Sequence, residues 1–266
     1  MTTLANPIRM PLLAAIAICA IGVPSMAQAG DSRDICDQLA ASKYDTTRPS
    51  GVPGVDEKDL DIVKALPACT DASAGGNDAR YTFQLGRVLY AKGNKAEATA
   101  LYEKAAKAGL SIAMVNLGAA LEEEEPALAF DWYSKAAEAG DMLGSYNLGV
   151  AYENGIGVEV NGPLALKAYM AASAQGDGFA AYNAAVLHDE GTLIALNKTE
   201  AVRLYELAID RNNVDAMFNM AKMYEHGDAV QLDKARALEL YRKAAALGDA
   251  DAADNARRLE AAGITR

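Results

Sequence analysis

The sequence contains few of the residues from which metal centres and β-sheets are usually built. Its 266 residues include three cysteines, two histidines and one tryptophan, and aromatic residues account for 6% of the chain. A structural zinc site needs four nitrogen or sulfur ligands, so these cysteines and histidines give a weak zinc signal. Because alanine is abundant and aromatic residues are scarce, the composition favours helices over a β-sandwich.

Recognisable catalytic motifs are also missing. The sequence has no Ser-x-x-Lys, Gly-x-Ser-x-Gly or His-Glu-x-x-His motif and no glycine-rich phosphate loop. His188 and His226 each adjoin an acidic residue, but His188 occupies the repeat position of Tyr152 and Tyr224 and is interpreted as a packing residue. The acidic run 122–125 lacks the loop of an EF-hand and is interpreted as a solvated turn. We therefore expect no enzyme activity, no metal and no cofactor.

Only the N-terminus carries a sustained apolar run. Arg9 precedes the run Leu12 to Val23, and Ala27-Gln28-Ala29 follows with small residues at the positions that signal peptidases require. The run has roughly 12 residues, whereas a membrane span needs about 20, so cleavage is favoured over an uncleaved anchor. We predict that residues 1–29 are a signal peptide, that the exported chain begins at Gly30, and that it has no transmembrane segment.

The charge balance is acidic. The net charge is −11, and removal of the leader, with one basic and no acidic residue, makes it −12. An acidic surface repels phosphate backbones, so we expect no nucleic-acid partner, while basic or apolar partners remain open.

Two cysteines, Cys36 and Cys69, remain after cleavage. In an oxidising compartment they permit one intramolecular pairing, worth roughly 3–4 kcal/mol in the chain-entropy model. A free pair and an intermolecular bond are the alternatives. We predict the intramolecular disulfide, within an N-terminal cap of residues 30–78. This cap is predicted to contain a short helix from Asp31 to Ala41, a loop at 48–54, and a second helix from Asp59 to Ser73 that is interrupted at Pro67.

The rest of the chain is repetitive. A step of 36 residues connects Asn147 to Asn183, Asn219 and Asn255, and the same step connects Tyr133 to the later tyrosines. Three shared registers establish an internal repeat. These registers are Asn147, Asn183, Asn219 and Asn255; Tyr133, Tyr169, Tyr205 and Tyr241; and Gly140, Gly176, Asn212 and Gly248.

Each unit is predicted to form two helices, A and B, separated by a loop. In the third unit, Gly155 and Gly157 end helix A, Pro163 begins helix B, and Gly176 suits the left-handed position that follows a helix. A single hairpin cannot bury its apolar face, so the units must stack into a solenoid. We predict five units over residues 79–249 and a C-terminal capping helix and tail over residues 250–266.

These residues resemble the Sel1-like repeats of the tetratricopeptide-like superfamily. The resemblance lies in Tyr-Asn-Leu-Gly-Val-Ala-Tyr-Glu-Asn-Gly-x-Gly-Val from Tyr146 onward, followed by Leu-Lys-Ala-Tyr and Gly-Asp. The first unit, with Leu85-Gly86 and the turn Lys92-Gly93-Asn94, is closer to a classical tetratricopeptide repeat. The resemblance implies an all-α, right-handed superhelix whose A helices line a concave face.

The resemblance also implies where a partner would bind. Amide side chains before the Leu-Gly pair, aromatic residues beside them and an acidic margin would form one strip, with a basic end at Arg80, Arg87 and Lys92. Such a strip suits a peptide backbone and basic side chains. The alternative is that these residues only pack neighbouring helices. The predicted partner-binding residues are Asn116, Asn147, Asn183, Asn219, Phe83, Tyr146, Tyr182, Phe218, Glu153 and Glu225.

The function that follows is an exported scaffold that binds a protein or peptide. Sel1-like proteins with cleavable leaders indicate a bacterial periplasm as the compartment, with secretion as the alternative. A structural role in the cell envelope is a second possibility. A penicillin-binding or β-lactamase-like hydrolase is a distant third, because the relatives with that activity carry cysteine pairs in each repeat and the repeats of this chain contain no cysteine.

Overall fold

The computed structural model describes residues 26–75 and 78–265. Over these residues the chain forms thirteen α-helices, one short 3-10 turn and no β-strand. None of the described helices is both long enough and apolar enough to span a bilayer. The predicted all-α repeat superhelix is confirmed. Most of the predicted signal peptide lies outside the described residues, so its removal stays a prediction.

Ten helices pair into five antiparallel hairpins, here called units 1 to 5, each with a helix A followed by a helix B. Helices within a unit and helices from adjacent units pack against each other. The units are α3 (Ala79–Ala91) with α4 (Lys95–Lys107), α5 (Ser111–Leu121) with α6 (Pro126–Glu138), α7 (Met142–Asn154) with α8 (Gly162–Ala174), α9 (Gly178–Glu190) with α10 (Lys198–Ile209), and α11 (Val214–His226) with α12 (Lys234–Ala246).

The helices begin and end where local chemistry requires. Four helices begin after a residue whose side chain accepts hydrogen bonds from backbone N–H groups of the first turn, which would otherwise lack a partner in the helix. These cap residues are Asp141, Asp177, Asn213 and Asp249. The residue before each of these caps has a positive φ, as the sequence predicted for Gly140, Gly176, Gly248 and Asn212, with φ 61° at Asn212.

Close approach between helices A and B depends on a small residue in helix A. A Cβ added to Gly149 would lie 2.6 Å from the ring of Tyr169, which is closer than real contacts allow. Units 4 and 5 have alanine at this register, Ala185 and Ala221, and both are fully buried. The helix-B tyrosine is therefore the centre of each unit's core, and Tyr169 and Tyr205 are 0% and 1% exposed.

The N-terminal segment contains the two predicted helices, and these form a sixth hairpin that packs like a repeat unit, which was not predicted. Helices α1 (Met26–Ala40) and α2 (Ile62–Ser73) pack antiparallel, and α2 stacks on α3 as helix B of one unit stacks on helix A of the next. The predicted disulfide is present and joins Cys36 to Cys69 with a Cα–Cα distance of 4.8 Å. The loop between α1 and α2, residues 41–61, is called the strap below.

One expectation for this segment was wrong. The second helix was expected to run from Asp59 to Ser73 with an interruption at Pro67, but α2 begins at Ile62 and continues through Pro67. Proline removes the donor to the carbonyl of Val63. Because Val63 is 85% exposed, water can satisfy that carbonyl, and the helix continues.

The C-terminal end of the stack is covered by α13 (Ala250–Ala261). Ala252, Ala256 and Leu259 face α12, and most of the other residues of α13 are exposed and polar. Arg258 of α13 reaches back to the carboxylate of Glu225 at 2.8 Å. This helix occupies the place of a sixth helix A, which is consistent with the predicted capping role.

Candidate functional site

The family resemblance implies that the A helices line the inner side of the stack. Two pairs of successive A helices, α1 with α3 and α5 with α7, contact each other directly across units. Residues three or four positions apart on a helix share one face, so the inner side of each helix A is repeated in every unit. We call this surface, from α3 to α11, the concave strip.

The predicted aromatic residues of units 3 to 5 lie half-buried on the concave strip. Tyr146, Tyr182 and Phe218 each pack against the helix-B tyrosine of their own unit, with ring centroids 5.9, 5.9 and 5.6 Å apart. One face of each ring is therefore used inside the unit, and the accessible remainder faces the groove.

The predicted asparagines connect neighbouring units. The amide nitrogen of Asn219 lies 3.3 Å from the hydroxyl of Tyr205 and 3.5 Å from that of Tyr182, both in the preceding unit. Asn183 holds the same register one unit earlier and lies near the hydroxyls of Tyr146 and Tyr169. Asn116 instead donates to the carbonyl of Ile112 in its own helix at 2.8 Å, and Asn147 is half-buried. At least two of the predicted partner-binding asparagines thus also have a packing role within the stack.

The carboxylates of the acidic margin are hydrogen-bonded to tyrosines of the core. Glu122, Asp189 and Glu225 accept hydrogen bonds from the helix-B tyrosines of their units at 2.7, 3.2 and 3.2 Å, and Glu153 accepts one from Tyr169. Burial and these carboxylates raise the pKa values of the four tyrosines well above the usual range. The tyrosines are Tyr133, Tyr169, Tyr205 and Tyr241.

Two predicted site residues are inaccessible. Phe83 is 0% exposed, and its ring packs 5.7 Å from that of Tyr102. Glu225 is 9% exposed and is bound by both Tyr241 and Arg258. A partner cannot contact Phe83, and it would have to break an ion pair to reach Glu225, so neither belongs to the accessible strip.

The expected basic end of the groove is wrong for its two arginines, because the strap covers them. Arg87 is 6% exposed and donates to the carbonyls of Ala40 and Val55, both at 2.7 Å. Arg80 donates to the carbonyl of Thr47 at 3.1 Å and lies 3.2 Å from the buried carboxylate of Asp37. The charges of both arginines are used within the chain, whereas Lys92, the third residue of the expected basic end, is exposed.

A cleft of about 410 Å³ lies between α9 and α11 and is called the inter-unit cleft. Tyr182 and Asn219 lie in its wall, and Glu190 and Lys222 supply exposed charges. The cleft coincides with Asp189, which is one methylene shorter than the glutamate at this register in units 2, 3 and 5.

Lys198 neutralises part of the negative charge in the inter-unit cleft. Its ammonium lies 2.7 Å from Asp189 and 2.8 Å from Asp228, so it joins the A–B loop regions of units 4 and 5. Hydrogen bonds to these two carboxylates raise the pKa of Lys198. Of the exposed charged residues named in the inter-unit cleft, Glu190 and Lys222 are the two that are not in a close ion pair. The preference of this cleft for a basic partner is therefore weaker than the net charge of the chain suggests.

The histidines show no arrangement typical of catalysis. The Nδ1 atom of His226 lies 2.8 Å from the carbonyl of Lys222 in its own helix. His188 lies half-buried at the tyrosine register of its helix. Within residues 26–75 and 78–265, no three potential ligands cluster closely enough to hold a metal ion.

Phe179 is a surface residue that the sequence reasoning missed. It lies three residues before Tyr182, on the same face of α9, and it is 62% exposed. The same register holds Leu143 in unit 3 and Asp215 in unit 5, so the repeat gives no structural reason for an exposed phenylalanine. Comparison of non-repeating residues within each register would have identified it.

Comparisons with known proteins identify the repeat. The family model described as Sel1 repeat matches residues 78–110, 111–141, 143–177, 178–213 and 214–249. No curated protein matches the sequence.

Several solved structures are similar. A protective antigen of uropathogenic Escherichia coli that displays an SLR fold is 27% identical with a TM-score of 0.65, and the match covers 76% of this chain but 45% of that protein. A Sel1 repeat protein from Oxalobacter formigenes is 25% identical with a TM-score of 0.63, covering 72% of this chain and 84% of the other. An immunity protein from Pseudomonas aeruginosa, 19% identical with a TM-score of 0.50 over 86% of this chain and 83% of its own, shares the fold.

Proposed function

The chain belongs to the Sel1 repeat family, and from this premise we propose that it is an exported, non-enzymatic adaptor that binds a protein or peptide on the concave strip. Sel1 repeats generally act as scaffolds for protein–protein interaction. The inter-unit cleft is the observation that supports this location for the binding site. It brings aromatic, amide and charged groups together in one accessible cleft.

The chemistry of the strip suits a peptide backbone with apolar side chains. Tyr146, Tyr182 and Phe218 offer partly exposed ring faces, and amide side chains can both donate and accept hydrogen bonds. The accessible set that we propose consists of these three residues with Asn116, Asn147, Asn183, Asn219 and Glu153, and it adds Glu190 and Lys222.

Export to the periplasm is supported by two independent features. The leader pattern ends at Ala29, and the disulfide between Cys36 and Cys69 is of the kind that persists in oxidising compartments. N-terminal sequencing of the protein from the native envelope should recover Gly30 as the first residue. An intact Met1 in the membrane fraction would contradict the proposal.

Site-specific photo-crosslinking tests the binding face. A photoreactive residue at Glu190 or Lys222 should crosslink to a partner in native envelope extracts, because both side chains are exposed beside the inter-unit cleft. The same residue at Lys167, which is exposed on a B helix, is the matched control. Crosslinks from Lys167 alone would place the interface on the convex side and overturn the proposed site.

Catalysis is tested separately. His188→Ala and His226→Ala should leave partner binding within a few fold, with some loss of stability for His188, which packs half-buried in α9. Loss of a measured hydrolytic activity in either variant, with unchanged melting temperature, would contradict the adaptor assignment.

A further inference from the structure

The strap already occupies part of the concave strip. Arg80 and Arg87 lie four residues before and three after Gln84, which holds the asparagine register in unit 1. Their guanidinium groups donate to main-chain carbonyls of Thr47 and Val55 in the strap. Recognition of carbonyls does not depend on side-chain identity, so this surface is built to hold an irregular main chain.

The part of the strap around Tyr44 and Thr46, called its tip, forms one wall of a second cleft, the strap cleft. It is lined by Tyr44 and Thr46 of the strap, Met142 and Leu143 at the start of α7, and Gln175 at the end of α8, and its volume is about 300 Å³. That volume is at the lower end of the range for small-molecule sites, roughly 300–1,000 Å³. A single large side chain suits it better than a cofactor.

The charged groups beside the strap cleft already have contacts within the chain. Lys43 lies 2.7 Å from the carboxylate of Asp56, and Asp141, 9% exposed, accepts hydrogen bonds from Ser111 at 2.7 Å and from the backbone of Gly144 at 3.0 Å. A charged group from a partner would have to displace these contacts and lose its own hydration, so the cleft favours an uncharged, apolar side chain.

Two aromatic residues are exposed on this part of the surface. Tyr44 is 41% exposed, and Lys43 covers one face of its ring at 5.1 Å. Phe179, 62% exposed, occupies in unit 4 the register that Leu143 occupies in unit 3. The strap cleft therefore lies between the strap and Phe179, the next accessible aromatic residue of the concave strip.

We propose that an extended peptide segment of the partner continues along the concave strip from the tip of the strap, inserts one large apolar side chain into the strap cleft, and contacts Tyr44 and Phe179. This inference rests on the proposed adaptor function and specifies which end of the strip gives the partner its anchor. The strap acts as the end wall of the groove, so the peptide is confined to units 2 to 5.

A phage-displayed library of random dodecapeptides, selected on the oxidised mature protein, supplies the probe. The enriched peptides should share a Leu, Met, Phe or Trp residue. Synthetic fluorescent copies should bind Phe179→Asp and Tyr44→Ser at least about tenfold more weakly than the unaltered protein, about 1.4 kcal/mol. Phe179→Asp should fold normally, because Asp215 holds the same register in unit 5.

Leu247→Gln is the matched control. Leu247 is 54% exposed at the end of α12, and Gln175 holds its register in unit 3. This variant should bind the peptides as the unaltered protein does. Unchanged affinity in Phe179→Asp and Tyr44→Ser, with loss in Glu190→Lys or Lys222→Glu, would overturn this inference and leave the proposed function intact. A library that yields no binder, or self-association that Phe179→Asp abolishes in light scattering, would also overturn it.

Discussion

The two halves of the stack are held together by different chemistry. The first hairpin is closed by a disulfide, and the buried carboxylate of Asp37 joins it to unit 1 by binding Arg80, Tyr81 and Gln84. Units 3 to 5 have no disulfide and instead repeat one arrangement, in which a helix-B tyrosine donates a hydrogen bond to a carboxylate of its own unit. In unit 4 the same tyrosine also contacts Asn219 of the next unit. The first half is fixed as the end of the stack, whereas the second half is built to be repeated.

The contact between helices A and B inside one hairpin illustrates the difference. In unit 4, Tyr182 of helix A packs on Tyr205 of helix B. In the first hairpin, Cys36 of α1 is bonded to Cys69 of α2, and Gln84 of unit 1 contacts Cys36 and Asp37, as Asn219 contacts Tyr182. The disulfide thus takes the place of the aromatic pair. A covalent bond suits an end hairpin that has a neighbour on one side only.

The largest loss is expected for Tyr205→Ala, which empties the core of unit 4. The free energy of unfolding should fall by about 3–5 kcal/mol, because the side chain is 1% exposed and helix A cannot move in to fill the space. Hydrogen exchange should show lost protection in α9 to α12 while α1 to α3 keep theirs. Equal loss of protection in both halves would show that the stack unfolds as one unit.

The joint variant Cys36→Ser with Cys69→Ser tests the opposite half. We expect a loss of about 3–4 kcal/mol, the chain-entropy contribution of this loop, confined to α1, the strap and α2. Denaturation of the oxidised and substituted proteins measures the loss. If peptide affinity at the inter-unit cleft falls as well, the two halves are coupled more tightly than the repeat arrangement implies.

Arg87→Met compares one register across the two halves. It removes the charged donors to the carbonyls of Ala40 and Val55, and we expect a loss of about 2–3 kcal/mol with faster proteolysis of the strap. Lys222→Met is the control, since Lys222 holds the same register in unit 5 but is exposed. Its stability should change little. Equal losses would show that the arginine has no special role.

The smallest effect is expected for Tyr205→Phe, which removes a hydroxyl that contacts Asp189 and Asn219. The loss should be about 1 kcal/mol near neutral pH. Because burial raises the pKa of Tyr205 in the folded chain, the unfolded chain releases this proton first as the pH rises above about 10, and the folded state loses stability there.

Melting temperatures from pH 8 to pH 11.5 should therefore fall less for Tyr205→Phe than for the unaltered protein. Parallel curves would show that this hydroxyl does not contribute to alkaline unfolding.

Local chemistry made most of the fold predictable. The 36-residue step, the cap residues and the positive-φ residues Gly176 and Asn212 each depend on neighbours in sequence, and the structure agrees with them. The two helices of the first hairpin were predicted, but their likeness to a repeat unit was not, because cysteines replace the aromatic pair and the long strap replaces the short loop. The burial of Arg87 and Phe83 depends on contacts with residues far away in sequence, which periodicity cannot reveal.

The candidate site was predicted less completely. The positions of Tyr182 and Asn219 beside a cleft follow from the repeat, but the hydrogen bonds between units do not, because they depend on how far one hairpin is rotated from the next. Phe179 and Tyr44 depart from the repeat or lie outside it, so a consensus argument passes over them.

The contact of Asn219 with two tyrosines of the preceding unit has a consequence for the history of the chain. Asn183 holds the same register one unit earlier, near Tyr146 and Tyr169, so the junction between units 3 and 4 and the junction between units 4 and 5 are built alike at this position. Duplication of a 36-residue segment of the gene would insert a hairpin whose partners on both sides are already satisfied. The groove can therefore lengthen by whole units during evolution without any new interface, while the disulfide-bonded hairpin stays at the beginning.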